Sequence, residues 1–286
     1  MRISTYQNAS WAKHKMMDLS VEQLHARNRV TTGKKYLKMS DNPLATSKSF
    51  AIQQSLENIG HMQKDIADSS NILKKTESTL QGIYKALSRA RDLTVQAANG
   101  TTNDENMEAI KTEVNQLLEQ AIYLGNTKED GRYLFGGDSQ QKPFTPDGDY
   151  QGSKNDVTWT LEGGFEVKVF RDGEELVGGV IDTLKEIQGA LEKGDKAELS
   201  SLIDKSQEKM DGILNRTTEI GATMNTLSGF ETILKEQTLT IQENRKELED
   251  VDMAVAITEL AYINATYEAT LKAVSTMNKV SMLDYM

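Results

Sequence analysis

From Pro43 to Gly100 the chain reads PLATSKSFAIQQSLENIGHMQKDIADSSNILKKTESTLQGIYKALSRARDLTVQAANG, and from Ala45 to Leu87 it carries an apolar residue at every seventh position. The row runs through Ala45, Ile52, Ile59, Ile66, Leu73, Leu80 and Leu87 without a miss. A second row three residues on includes Met62, Ile83, Ala90 and Ala97, with polar interruptions at Ser55, Ser69 and Thr76. A seven-residue repeat held this long keeps one apolar seam turned toward a partner helix, which is coiled-coil behaviour. Asp41 and Asn42 precede the row as capping residues. Pro43 suits the first helical turn, where its missing N–H costs nothing. Gly100 is the expected end, with Asn103 or Asp104 capping the next helix. There Met107, Ile110, Val114, Leu117, Ala121 and Leu124 alternate spacings of three and four. The expectation is a long helix, a short turn and an antiparallel return.

Outward from this stretch, punctuation divides the chain. Its three prolines are Pro43, Pro143 and Pro146, so residues 44–142 and 147–286 have none. Dense turn residues in the middle predict strands and loops, and their scarcity elsewhere permits long helices. Val157, Trp159 and Leu161 alternate with Thr158 and Thr160. After Glu162-Gly163-Gly164, Phe165, Val167 and Val169 alternate against Glu166, Lys168 and Arg171. That period of two predicts a β-hairpin with one buried face. Beyond it, Ile181, Leu184, Ile187 and Leu191 mark a short helix ending at Gly194. A longer helix follows through Leu199, Leu202, Met210, Ile213 and Ile220. A final helical stretch runs from about Leu227 to Met282, with Ile257, Leu260, Tyr267, Leu271 and Val274 on one seam.

The two ends suit each other. Residues 1–50 carry nine basic and three acidic side chains, whereas residues 236–286 carry nine acidic and four basic ones. Opposite signs favour association and set register. Both seams are diluted, however. Met17, Val21 and Leu24 form a stripe among Asn8, Ser10, His14, Gln23, Asn28 and Thr31, and Asn264, Asn278 and Ser281 interrupt the other end. Helices with weak seams are marginal alone, so residues 1–30 and 255–286 are expected to be poorly ordered in the free monomer and to fold against copies or partners.

Composition narrows the function. Hydrophobic residues are 37% of the 286 and aromatics 6%, which leaves a thin core. Cysteine is absent, which removes disulfides and thiolate sites. A net charge of −10 argues against bulk attraction to nucleic acid or anionic lipid. No run approaches the ~18 apolar residues a membrane span needs, and residues 1–10 lack the apolar region of a Sec signal peptide. His14, His25 and His61 show no ligand spacing and are expected at the surface. No phosphate-binding glycine motif occurs. Asp147-Gly148-Asp149 reads as a turn rather than a calcium loop. Glu247, Glu249, Asp250 and Asp252 read as a solvated or partner-facing surface rather than an acid/base pair. No catalytic residue, cofactor or metal is expected, and the function must lie in surfaces and seams.

Several motifs carry a family resemblance. Thr31-Thr32-Gly33-Lys34-Lys35-Tyr36, followed by Ser40-Asp41-Asn42-Pro43-Leu44-Ala45, resembles the N-terminal signature of the flagellin superfamily. Leu248-Glu249-Asp250-Val251-Asp252-Met253-Ala254 and the closing Met282-Leu283-Asp284-Tyr285 resemble its C-terminal signature. Asp41-Asn42-Pro43-Leu44-Ala45, Gly131-Arg132-Tyr133-Leu134-Phe135-Gly136-Gly137 and Tyr150-Gln151-Gly152 are closer to the hook-associated proteins of the hook–filament junction than to flagellin itself, which is the alternative. The same motifs argue against a type III secretion needle or translocator protein. The resemblance covers residues 1–137 and 180–286 and is weaker over 138–179.

The resemblance implies a mainly α fold, with long antiparallel helices from both termini forming a coiled-coil and rod stalk around a small central β-rich insert. Residues 1–42 and 245–286 would form the terminal coiled-coil domain. Residues 43–137 and 180–244 would form the helical rod, and 138–179 the small β-rich outer domain. It also implies export through the flagellar type III apparatus and a cytoplasmic export chaperone on the C-terminal helix. Copies would form a ring between hook-associated protein 1 and flagellin. On this reading Met17, Val21, Leu24, Ile257, Leu260, Tyr267, Leu271, Val274 and Leu283 meet neighbouring subunits. Asn42-Pro43 fixes the turn from the inner to the outer helix, and Gly131, Gly136 and Gly137 allow backbone reversals into the β-rich part.

Overall fold

The computed structural model describes residues 2–99, 104–161 and 164–283. The chain is 76% helical. Among the described residues there are six α-helices: α1 (Arg2–Thr32), α2 (Pro43–Ala98), α3 (Asp104–Gly125), α4 (Gly179–Lys193), α5 (Lys196–Glu249) and α6 (Met253–Leu283). They belong to two compact units, Met1–Asn58 with Glu236–Met286, and Ile59–Lys235. The boundaries fall inside α2 and α5, and residues 138–179 lie within the second unit. Gly100, Asn103 and Gly163 lie outside the described residues.

In the first unit α1 and α6 run antiparallel. The Gln23 amide donates to the Asn264 side-chain oxygen at 2.6 Å, and Arg29 pairs with Glu259 at 2.8 Å. The buried residues of this contact recur every seven positions, as Ala12, Leu19 and Ala26 on one helix and Ala256 and Ile263 on the other. Alanines let the two backbones approach, but they bury little area. Gly33, at φ +69°, turns the chain out of α1, and its N–H donates to the Arg29 carbonyl. Asn42 caps α2 by accepting the Ala45 N–H at 3.0 Å, with Pro43 next at the first helical position. Asp41 serves a different turn, its carboxylate accepting the Leu37 and Lys38 N–H groups at 3.2 and 3.0 Å.

The second unit holds most of the core. Ile59, Ile66, Leu73, Leu80 and Leu87 are buried as the heptad row requires, and Ile83, Ala90 and Ala97 fill the second row. The interruptions at Ser69 and Thr76 are buried with them. Thr76 satisfies its hydroxyl on the Ile72 carbonyl one turn back, so the seam passes through a polar residue at small cost. Leu93, Ala97, Ile110, Val114, Ile187, Ala190, Leu191, Leu199 and Leu202 form one cluster from α2, α3, α4 and α5. Gly194, left-handed at φ +69°, ends α4 as its position predicts.

Between α3 and α4 lie two hairpins. Strands β1 (Lys128–Glu129) and β2 (Arg132–Tyr133) flank Asp130 and Gly131, both at positive φ, the geometry of a two-residue type I′ turn. Strands β3 (Val157–Leu161) and β4 (Phe165–Phe170) form the second hairpin.

The structure differs from sequence expectation at two places here. The last helical stretch does not begin near Leu227. Instead α5 continues to Glu249, and the break comes at residues 250–252. Asp252 makes that break, accepting the Ala254 N–H at 2.9 Å and the Val255 N–H at 3.3 Å as the cap of α6. The second difference is Arg171, set above with the polar residues although its position is in phase with Val167 and Val169. A register shift between Val157 and Thr158 leaves Val169 opposite no partner, so Val169 and Phe170 are buried in succession. Arg171 follows them inward and is 7% exposed, holding Glu219 of α5 at 2.9 Å.

Candidate functional site

The two terminal signatures, more than 200 residues apart in sequence, meet in the first unit. Lys34 and Asp250 form an antiparallel bridge, flanked by hydrogen bonds from the Lys35 N–H to the Glu249 carbonyl (2.7 Å) and from the Val251 N–H to the Gly33 carbonyl (2.8 Å). The Lys34 ammonium is held between Glu249 at 2.8 Å and Asp250 at 2.7 Å. Lys35 donates to the Glu247 carbonyl, Ser49 to Glu249, and Arg245 to Gln53 at 3.2 Å. The turn after α1, the start of α2, the end of α5 and the start of α6 are thus tied at one node. The hydrogen bonds that Lys34 donates to Asp250 and then to Glu249 raise its pKa above the ordinary value. Lys34 in turn lowers both carboxyls, with Ser49 helping at Glu249. Three carboxylates of the acidic cluster are therefore spent on structure, Glu249 and Asp250 on the turn and Asp252 on the cap of α6, whereas Glu247 contributes its backbone carbonyl and is exposed.

The same unit carries most of the exposed apolar surface among the described residues. Among the exposed large apolar side chains of the described residues, only Tyr123, Leu214 and Ile233 belong to the second unit. Trp11, Met17, Val21, Leu24, Met39, Leu44, Phe50, Val255, Ile257 and Tyr262 are among those of the first. Among the described residues, the buried apolar side chains of that unit are Ala12, Leu19, Ala26, Ala45, Ala256 and Ile263, four of them alanine. The first unit thus sets an extensive apolar surface over a small core.

The candidate contact residues separate by position. Met17, Val21 and Leu24 are exposed on α1, off the Ala12–Leu19–Ala26 row that meets α6. Leu260, Tyr267 and Val274 are half-buried on α6, and Ile257 and Leu271 are exposed. The Leu283 side chain, like Asp284 and Tyr285, lies outside the described residues. Tyr267 and Val274 line a shallow groove with Ala12, Met16 and Met17. His14, His25 and His61 are exposed.

In the second unit, the Gly131–Gly137 motif orders the approach to the hairpins. Gly131 and Gly137 take left-handed φ of +78° and +59°, whereas Gly136 does not. At Gly136 the restraint is space, since an added Cβ would lie 3.3 Å from the Ser139 carbonyl and the Tyr133 Cβ. Gly137 is also crowded, by the carbonyls of Ser153 and Asn155, and its N–H donates to the Arg171 carbonyl. Arg132 stacks its guanidinium 4.9 Å from the Phe170 ring centre, and Lys128 lies 4.3 Å above Tyr133. Phe135 is buried, and its carbonyl accepts the Tyr150 hydroxyl at 3.1 Å. Burial pushes that phenol's pKa above its ordinary value. Asp149 of the Asp147–Asp149 turn pairs with Lys185 at 3.0 Å.

A helical protein whose paired termini carry its exposed apolar face has the build of the flagellin class. Residues 3–140 match the bacterial flagellin N-terminal helical region, and residues 201–286 match the C-terminal helical region. The chain is 54% identical to Bacillus cereus FlgL in a crystal structure, covering 68% of this chain and 99% of that one, with a TM-score of 0.64. It is 21% identical to flagellar hook-associated protein 3 of Escherichia coli over 99% of this chain and 98% of that protein. The flagellar junction protein FlgL of Legionella pneumophila shares the fold, at 15% identity and a TM-score of 0.53, over 71% of this chain and all of that one. The chain belongs to the hook-associated protein 3 (FlgL) family within the flagellin superfamily.

Proposed function

We propose that this chain is a structural component of the bacterial flagellum, an adaptor that joins hook-associated protein 1 to the flagellin filament as a ring of copies at their junction. The observation that carries this reading is the uneven distribution of apolar surface. Among the described residues, the second unit leaves few large apolar side chains exposed, and the terminal unit leaves many of its own exposed over an alanine-rich seam. Such a unit gains stability by packing against other subunits, which couples ordering of the terminal helices to assembly. The relatives are structural flagellar proteins rather than enzymes, which supports a role without catalysis or cofactor. The chain would leave the cell through the flagellar type III apparatus, with a cytoplasmic chaperone on its C-terminal helix until export. Among the described residues, no helix is long and apolar enough to cross a membrane.

Deleting the gene tests this reading. The expected result is hooks without filaments and unassembled flagellin in the medium; normal filaments would overturn it. Removing the last ten to fifteen residues should leave a soluble chain that no longer enters the junction. Amide exchange on the free protein probes the coupling, and strong protection throughout residues 1–30 and 255–283 would count against it.

A further inference from the structure

Two rows of side chains flank the buried row of α1. Trp11, Asp18 and His25 stand one residue before Ala12, Leu19 and Ala26, and Lys13, Ser20 and Arg27 stand one residue after them. One residue is about 100° around a helix of 3.6 residues per turn, so the two rows lie on opposite flanks of the α1–α6 pair. All of these flanking side chains are exposed. The second flank holds the shallow groove, which Lys13 and Ser20 line together with Met16, Met17, Tyr267 and Val274. The first flank holds a knob, since Trp11 is 66% exposed. The flanks also differ in charge. Lys13 and Arg27 are cations on the groove side and Asp18 is a carboxylate on the knob side, and none of the three enters an ion pair among the described residues. Lys15 and Glu22, three residues after Ala12 and Leu19, share the knob side and offset each other, as do Glu268 and Lys272 of α6.

We infer that this groove receives Trp11 of a second copy of the chain. The contact rests on the reading of the chain as a subunit that packs with its own copies. The indole fills the apolar floor between Met16 and Val274, with the Lys13 ammonium over its face and the Met16 thioether against its edge. Asp18, two helical turns along from Trp11, then falls between the levels of Lys13 and Arg27 on the neighbour. Opposite charges favour groove against knob, whereas groove against groove would set Lys13 and Arg27 against their own copies. Knob and groove also share one level of α1, with Trp11 and Asp18 on one flank and Lys13 and Ser20 on the other. Each copy therefore adds to the next sideways, with little shift along the helices. A head-to-tail contact of that kind forms a ring where the rotation closes, whereas a self-complementary patch stops at a dimer.

A photo-crosslinker that keeps an aromatic knob tests this contact. The full-length Trp11→p-benzoylphenylalanine chain is co-expressed with the wild-type chain in a strain lacking its own copy of the gene, so that labelled copies sit among unlabelled ones. Isolated hook–filament structures are then irradiated. The expected product is a dimer of two copies, with the link mapped by mass spectrometry to the groove at residues 12–20 or 267–274. A Lys13→p-benzoylphenylalanine chain should give the reciprocal link, to the turn of α1 around Trp11. Lys13→Glu in both co-expressed chains should lower the yield of the Trp11-probe dimer about tenfold. Adding Asp18→Lys to both should recover most of it, since every copy presents both flanks. Incorporated probes that give no dimer, or links that map only outside the groove, would overturn the contact while leaving the junction reading intact. Absence of the wild-type chain from the isolated structures would overturn the junction reading and this contact with it.

Discussion

Replacing Met17, Val21 and Leu24 together by alanine separates the work of the free chain from the work of assembly. The three side chains are 59%, 53% and 56% exposed, so each has about half of its surface still to bury. Full burial of such a side chain is worth about 1.5–3 kcal/mol, so half of it is worth about 1 kcal/mol, or about 3 kcal/mol for the three. Lost on association, that weakens incorporation by about a hundredfold. The free chain should scarcely notice, since exposed substitutions cost within about 0.5 kcal/mol each and alanine is the best helix former. Leu191→Ala supplies the contrast. Leu191 is 1% exposed within the main core cluster, and its truncation should cost the free chain about 2.7–5 kcal/mol. The assays are thermal unfolding of the purified chain by circular dichroism, and immunoblots of isolated hook–filament structures at limiting expression. The triple variant should melt like the wild type and be nearly missing from the flagella. Wild-type incorporation would refute the reasoning, and so would a melting loss as large as that of Leu191→Ala.

Gly137→Ala should destabilise the second unit more than Gly131→Ala in denaturant melts. Both positions have left-handed φ, but only at Gly137 would the methyl meet carbonyl oxygens, whereas Gly131 has open space; the φ penalty alone is about 1 kcal/mol. The Lys34 node should weaken in acid. Glu249 and Asp250 have folded pKa values below their ordinary ones, so their contribution is complete above about pH 4.5 and is lost as pH falls through the lowered values. Lys34 is shifted upward, so its contribution is complete below about pH 10.5 and lost above it. Amide exchange at Lys35 and Val251 reads both limbs, and Lys34→Met should flatten them. Asn42→Ala removes the cap of α2 and should cost about 1 kcal/mol, read as faster exchange at Ala45 and Thr46.

Local periodicity carried much of the fold. The heptads of α2, the alternating threes and fours of α3, the glycine that ends α4 and the alternation across β3 and β4 each report a constraint that neighbouring residues impose on one another. The opposite charges of the termini likewise anticipated the Arg29–Glu259 and Lys34–Glu249 pairs. Single-residue signals were weaker. The α5–α6 break rests on Asp252 alone, with no proline or glycine nearby. A capping aspartate before Met253-Ala254 was the available sign, hidden within an acidic run.

What the sequence determined by itself is therefore the long helix α2, the helices α3 and α4 and the β3–β4 hairpin, because each follows from spacing along one segment. Which apolar row faces which partner was decided only in three dimensions. On α1 the stripe of Met17, Val21 and Leu24 is the more hydrophobic to read, yet the row of Ala12, Leu19 and Ala26 meets α6. Small side chains allow the close approach that brings Gln23 to Asn264 and Arg29 to Glu259. The larger apolar side chains remain outside. Periodicity counts apolar residues on a face, and it takes tertiary packing to separate those a chain buries by itself from those it leaves exposed.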